Sequence, residues 1–336
     1  MDYRQNLLDA NDIDLSKVNQ IDLLESNAFN QIVLKSNDEL SHLKVLTISN
    51  CEYLTELNST DLFKQLPNLS ELWIIHNKIK TISSDQFDSL ANLELLTLEN
   101  NYLQKVGTRM FQNLRKLTKL YLSCNRMEEI ESSFFSFAAG LEEFSLTVND
   151  VDPIDFTHFR AYRKLKKFHM NYCNRDVQDI LLSALNESSG LETLELNNNH
   201  IEILNHSLYM MFDNLKSLFL NNNDIKQLDK ELFINLKSLE SLDLSNNQLV
   251  KLEANQFSNL HNLRVLMLNR NQIEHLSDDT FKSLVNLEYL DLYSNKFNPS
   301  TLNYKVLKGL CKLNQLFVWK SYQNDIEQYM SKIFDD

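Results

Sequence analysis

Eight histidines, four cysteines and 46 acidic residues give this chain of 336 residues the side chains for metal binding or nucleophilic catalysis. Their spacing does not bring them together. No HExxH or Cys-x-x-Cys is present, and the histidines are scattered along the whole length. The adjacent carboxylates Glu142 and Glu143 read better as members of a charged row than as an acid/base pair. No enzyme, metal or cofactor is expected. The residues that stand out are large and suited to contact: Trp73, Tyr121, His169, Phe219, Met267 and Phe317, with Ile75, Tyr293 and Trp319 near them. Aromatics set among Asp and Glu are the make-up of a protein interface, with apolar anchors in a polar surround. These nine residues are the candidate ligand-binding set.

Something must position them, and composition narrows what. Length alone suggests two domains. Yet there are only 4 Gly and 3 Pro, against 41 Asn. So few turn residues weigh against tight hairpins and glycine-lined phosphate cradles. With 43% hydrophobic residues the chain is not disordered, so the surplus Asn implies an ordered role repeated many times. The net charge of -13 makes a nucleic-acid backbone an unsuitable partner. No apolar run approaches the roughly 20 residues of a membrane span. Met1 to Gln5 do not open a basic and then apolar leader, so no secretion signal is visible in the chain.

Self-alignment supplies the repeat. LxxLxLxxN begins at Leu43, Leu69, Leu93, Leu117, Leu141, Leu165, Leu191, Leu215, Leu239, Leu263, Leu287 and Leu313, mostly 24 residues apart. The alternating LxL is a short strand with one buried face, and stacked copies make a parallel sheet. At the ninth position an Asn can both donate to and accept from buried backbone groups of adjacent coils. Asn77, Asn101, Asn125, Asn149, Asn199, Asn223, Asn247, Asn271 and Asn295 form this ladder, with Cys51 and Cys173 in the same place. Phe63, Phe87, Phe111, Phe135 and Phe159 recur 24 apart, and Tyr209, Phe233, Phe257 and Phe281 continue the column. They read as a buried aromatic spine. Glu142, Lys166, Glu192, Lys216, Glu240, Arg264 and Glu288 alternate in sign at the second position, a ladder of charge pairs between coils.

The fifth position runs Thr47, Trp73, Thr97, Tyr121, Ser145, His169, Glu195, Phe219, Asp243, Met267, Asp291, Phe317. Bulky residues occupy every second coil. Crowding on a concave face explains the alternation of size, but it does not require the bulky residues to be aromatic, and binding is the favoured reading. His169 and Asp243 share this row three coils apart, about 14 Å by strand spacing, too far for a nucleophile–base relay.

The 24-residue form, clearest from Leu263 to Phe281, resembles the leucine-rich repeats of extracellular proteins, such as Toll-like receptor ectodomains and the secreted leucine-rich immune and adhesion proteins of insects. The resemblance implies an α/β solenoid: a leucine-rich repeat horseshoe with a concave parallel sheet of about 12 short strands and an irregular convex side. Residues 1–42 would be an N-terminal capping region, 43–298 the repeats, and 299–336 the last repeat with a helical C-terminal cap. The cysteine-bonded caps of secreted relatives are missing. Cys51, Cys124, Cys173 and Cys311 belong to separate coils, beyond disulfide reach, which leaves Cys124 as a free or intermolecular thiol.

A helix is expected from Thr301, with Leu302, Val306, Leu307 and Leu310 on one face. Another is expected over Asp176–Leu185, bending one continuous solenoid. Ile326, Tyr329, Met330, Ile333 and Phe334 would form an apolar helical stripe that covers the last coil or joins two subunits, so the tail and Cys124 are the candidate homodimer contacts. The Asn58, Asn186 and Asn205 sequons fall outside the strands and are the candidate glycosylation sites, although chance alone supplies about as many sequons as are present. The function implied is non-enzymatic recognition of a protein or microbial ligand by the concave face, secreted or extracellular, of innate-immune or adhesion type. The alternative is an intracellular, cytoplasmic scaffold or adaptor.

Overall fold

A computed structural model describes residues 20–24, 40–57, 60–127, 129–130, 140–147, 163–173, 177–178, 181, 185, 188–297 and 304–318. The chain divides into two compact units, Met1–Leu165 and Lys166–Asp336.

In the first unit a parallel sheet is built from β1 (Gln20–Leu24), β2 (Val45–Ser49), β4 (Glu71–Ile75), β6 (Leu95–Thr97), β8 (Lys119–Tyr121) and β10 (Glu143–Ser145), in that order. Between them lie two-residue strands on the opposite side, β3 (Glu56–Leu57) paired with β5 (Thr81–Ile82), and β7 (Lys105–Val106) with β9 (Glu129–Ile130). Helix α1 is a short turn at Thr60–Lys64. The register repeats coil by coil: Leu46 opposes Leu72, Leu72 opposes Leu96, Leu96 opposes Leu120, and Leu120 opposes Phe144. All five are almost wholly buried, because alternation sends every second residue inward and the next coil covers it. Strand β1, within residues 1–42, adds a rung to the sheet, with Ile21 opposite Leu46.

The second unit repeats the plan. Strands β11 (Lys167–His169), β12 (Thr193–Glu195), β13 (Ser217–Phe219), β14 (Ser241–Asp243), β15 (Val265–Met267), β16 (Tyr289–Asp291) and β17 (Gln315–Phe317) pair in sequence order, all parallel. Helix α2 (His206–Tyr209) is N-capped by Asn205, whose side-chain oxygen accepts from the Ser207 amide at 3.0 Å. In the enlarged coil the helical spacing is realised. The Leu181 amide donates to the Val177 carbonyl and Leu185 to Leu181, and all three side chains are buried.

The asparagine ladder has the expected chemistry. Asn77 accepts from the Cys51 amide at 2.8 Å and donates to the Ile48 carbonyl at 2.9 Å. Cys173 is held in the same way by Asn199, at 2.9 Å. The spine stacks as well: ring centroids are 5.9 Å apart for Phe63–Phe87 and 6.4 Å for Phe87–Phe111, then 5.8 Å for Phe233–Phe257 and 6.0 Å for Phe257–Phe281. Asn149, Phe135 and Phe159 lie outside the described residues.

One expected element changes form. The helix foreseen from Thr301 is a single 3-10 turn at Tyr304–Leu307, and strand β17 follows it closely. Val306, Leu307 and Leu310 are still buried, so the apolar residues serve the core of the last described coil. Three inward residues are satisfied by one tight turn when a strand must begin eight residues later. The tail stripe Ile326–Phe334 lies outside the described residues, and a helical cap has no support.

Two further uses of Asn appear. The residue before each ladder position has positive φ: Asn50, His76, Asn100 and Cys124 in the first unit, then Tyr172, Asn198, Asn222, Asn246, Arg270 and Ser294, all between 54° and 59° except Asn246 at 51°. Glycine is the usual occupant of this left-handed region, and Asn is the side chain that tolerates it best. A chain with 4 Gly therefore places Asn there repeatedly. The residue before each first Leu is the other site. Asn68, Asn92, Asn214, Asn262 and Asn286 each donate to a backbone carbonyl of the preceding coil, at 2.6–2.9 Å. These bonds tie the flanks of successive coils together.

Candidate binding face

The fifth-position side chains stand on the open side of each sheet, and each sits directly beside its neighbour in register. In the first unit Trp73 lies between Thr47 and Thr97, and Tyr121 between Thr97 and Ser145. Thr97 and Ser145 are buried, so small residues form the gaps between the two large ones. Both aromatics are half-buried. Each has an acidic partner. Trp73 Nε1 donates to Glu71 at 3.2 Å. Burial, followed by a hydrogen bond with Glu143, raises the Tyr121 hydroxyl above its ordinary pKa. Ile75 ends β4 in the seventh position, half-buried, one step along the same face.

In the second unit the row reads His169, Glu195, Phe219, Asp243, Met267, Asp291, Phe317. His169 Nδ1 is 3.0 Å from Glu195 Oε2, and Asn171 donates to the same oxygen at 3.0 Å. The His169 contact is the main reason the Glu195 carboxyl is held below its usual range. His169 is thus a partner of Glu195 in this structure. Phe219 lies between two acids, Glu195 and Asp243. Asp243 and Asp291 flank Met267; burial pushes both carboxyls above the ordinary carboxylate range. Each accepts one backbone bond, Asp243 from Ser245 at 2.8 Å and Asp291 from Tyr293 at 2.9 Å. The Phe317 ring packs 5.4 Å from that of Tyr289. Trp319 lies outside the described residues.

Sequence reasoning missed a second asparagine row on this face. The Asn197 amide donates to Asn171 Oδ1 at 2.7 Å, and the Asn221 amide to Asn197 Oδ1 at 3.1 Å. Asn246 also bonds Asn222 through their side chains. Runs such as Asn197-Asn198-Asn199 and Asn221-Asn222-Asn223 carried the signal: three adjacent columns, each with its own task.

The charge ladder includes the ion pairs Lys216–Glu192 at 2.8 Å and Arg264–Glu288 at 2.7 Å. These pairs are largely exposed, so solvent screens them and they add little to stability. Burial, then the Glu99 charge, raises the Cys124 pKa, which lowers the thiolate fraction available for oxidation or coupling. The four cysteines are free. Of the sequon residues, Asn205 caps α2, while Asn58 and Asn186 lie outside the described residues. Among the described residues no helix is long and apolar enough to cross a membrane, and no three His, Cys, Asp or Glu gather to hold a metal ion.

Comparison with known proteins gives the same architecture. No curated protein matches the chain by sequence. Among solved structures, a leucine-rich repeat protein of Leptospira interrogans is 25% identical, with 89% of this chain covering 73% of that one at a TM-score of 0.70. TLR13, solved as a complex with ssRNA13, is 28% identical with a TM-score of 0.58; the match covers 83% of this chain and only 36% of the receptor. The Drosophila Toll–Spatzle complex shares the fold at 20% identity and TM-score 0.71, over 91% of this chain and 41% of that one. The family described as Leucine rich repeat matches residues 41–103, 91–151, 213–273 and 261–318. The repeats, the parallel register and these matches together show that the chain belongs to the leucine-rich repeat family.

Proposed function

We propose that the protein is a non-enzymatic recognition module of the extracellular leucine-rich repeat type, binding a protein or microbial ligand through the open sheet faces of its two units. The observation that carries this reading is the fifth-position row. It sets Trp73 and Tyr121 on one unit, and Phe219, Met267 and Phe317 on the other, among small and acidic residues. Half-buried aromatics already held by Glu71 and Glu143 lose little further side-chain entropy on binding, which is what anchors require. Solvent-side packing alone would be served as well by Leu or Thr.

The extracellular, innate-immune or adhesion assignment is supported by the 24-residue period and by the likeness to TLR13 and Toll. Glycosylation at Asn58, Asn186 and Asn205, and the division into a cap at 1–42, repeats at 43–298 and a last repeat at 299–336, belong to the same reading. The net charge of -13 favours a protein partner over a polyanion. An intracellular scaffold uses the same face, and the free cysteines are the observation in its favour.

The test is substitution on each unit. Trp73→Ala with Tyr121→Ala, and separately Phe219→Ala, should each weaken partner binding by about 100-fold, a loss typical of hot-spot residues, while Tm falls by only a few degrees. A large fall in Tm with unchanged binding would make the row a packing feature and overturn the reading.

A further inference from the structure

An open recess of about 560 Å³ in the second unit lies between the turns that follow β13, β14 and β15 and the side chains of β16 and β17. Its lining differs from the rest of the row. Asp291 stands in it, with the Tyr289–Phe317 ring pair among its walls and Tyr293 and Asn269 also lining it. Asp243, two strands away across Met267, adds a second negative charge that acts on both Asp291 and Tyr289. Arg270 lies at the recess on an exposed, left-handed residue and offsets part of the Asp291 charge.

The contrast with Glu195 is informative. Glu195 occupies the same row and is comparably covered, but His169 and Asn171 already satisfy it at 3.0 Å. Asp243 and Asp291 each have a backbone donor, from Ser245 and Tyr293, and among the described residues no salt bridge reaches either carboxylate. A partly desolvated carboxylate that no salt bridge reaches is costly in the free protein, and a cation brought onto it by a partner lowers that cost. Aromatic faces beside the carboxylate add selectivity. A guanidinium can fork onto the carboxylate while stacking on a ring, whereas an ammonium acts as a point charge.

We propose that this recess takes an arginine side chain of a protein partner, with the guanidinium on Asp291 and against the Tyr289–Phe317 pair. The inference rests on the open face being the recognition surface, and it names the chemistry of one contact. The probe is a capped Gly-Arg-Gly peptide titrated into the full chain by calorimetry, alongside the same peptide carrying citrulline or lysine. Arginine should bind, lysine several-fold more weakly, and neutral citrulline should lose about tenfold or more. Asp291→Asn should cost about tenfold, whereas Asp85→Asn, an exposed acid of the first unit, should change nothing. Arg270→Ala should tighten binding about two- to threefold by removing the competing cation.

Equal binding of citrulline and arginine, or equal effects of Asp291→Asn and Asp85→Asn, would overturn the proposal. Tyr289→Leu, which leaves both carboxylates in place, should cost several-fold; no change would remove the aromatic wall from it. If the peptide results fail while Phe219→Ala still abolishes binding of the natural partner, the recess proposal falls and the recognition reading stands. If the recess binds arginine but neither set of aromatic substitutions affects the partner, the recognition reading falls.

Discussion

Asn223 donates through Nδ2 to the carbonyls of Leu196 and Leu220, both at 2.9 Å, and accepts through Oδ1 from the amides of Asn199 and Ile201. It is 6% exposed, so water cannot replace these partners. Asn223→Ala should therefore cost about 3 kcal/mol, since several buried backbone groups lose a side-chain partner; urea unfolding of the variant measures it. One residue earlier the demand is different. Cys124 holds φ at 54°, where a side chain is strained and glycine is not. Cys124→Gly should stabilise the protein by about 0.5–1 kcal/mol, and Cys124→Val should destabilise it by about 1–2 kcal/mol. Asp243 gives a pH signature. Burial raises its folded-state pKa, so the folded chain holds the proton more tightly than the unfolded chain. Stability from this group is lost as pH rises from the ordinary carboxylate value through the raised one. Asp243→Asn keeps the acceptor for Ser245 and should raise Tm at pH 7, with the gap closing toward about pH 3.5, below the ordinary carboxylate range. A gap independent of pH would show that the charge is not responsible.

At the scale of the coil, the spine sets the spacing between strands and the opposite side. Phe257 packs between Phe233 and Phe281 and is fully buried. Phe257→Ala should cost about 3–5 kcal/mol, and Phe257→Leu much less, as chemical denaturation would show. The elements that depend on residue type were readable from sequence: inward leucines, the ladder with Cys51 and Cys173, and the phenylalanine column each keep one kind of side chain at one period. The left-handed position was not, because the backbone geometry repeats while the residue does not. His76, Tyr172, Arg270 and Ser294 occupy it as well as Asn. Nor was the flank column of Asn68, Asn92 and Asn214 separable by composition from the other asparagines. On the candidate face, sequence placed Trp73, Tyr121, Phe219 and Phe317 on one side of their strands. It did not show that Glu71 and Glu143 hold the first two, since one contact runs between side chains two residues apart along β4 and the other crosses from β8 to β10, and neither pairing is fixed by the repeat. Val306, Leu307 and Leu310 are apolar under either helical pitch, so spacing alone favoured an α-helix where one 3-10 turn forms.

At the scale of the molecule, two units carry the same construction, and each presents a row in which large side chains alternate with small or acidic ones. The net charge of -13 opposes close association of two copies of the chain and, on the proposed reading, favours partners with basic groups. The inward leucines and phenylalanines supply the core, and the proposed role of the open face is contact with a partner. The most direct measurement of that claim is photo-crosslinking in extracellular fluid and in cytosol from the source organism. A photoreactive phenylalanine analogue would be placed in turn at Trp73, Tyr121 and Phe219, and at the exposed Ile234 and Val285, which lie outside the sheets. The account predicts that the three open-face positions join the chain to the same protein, from the extracellular fluid, and that Ile234 and Val285 do not. Crosslinks to one partner from Ile234 and Val285 alone would contradict it.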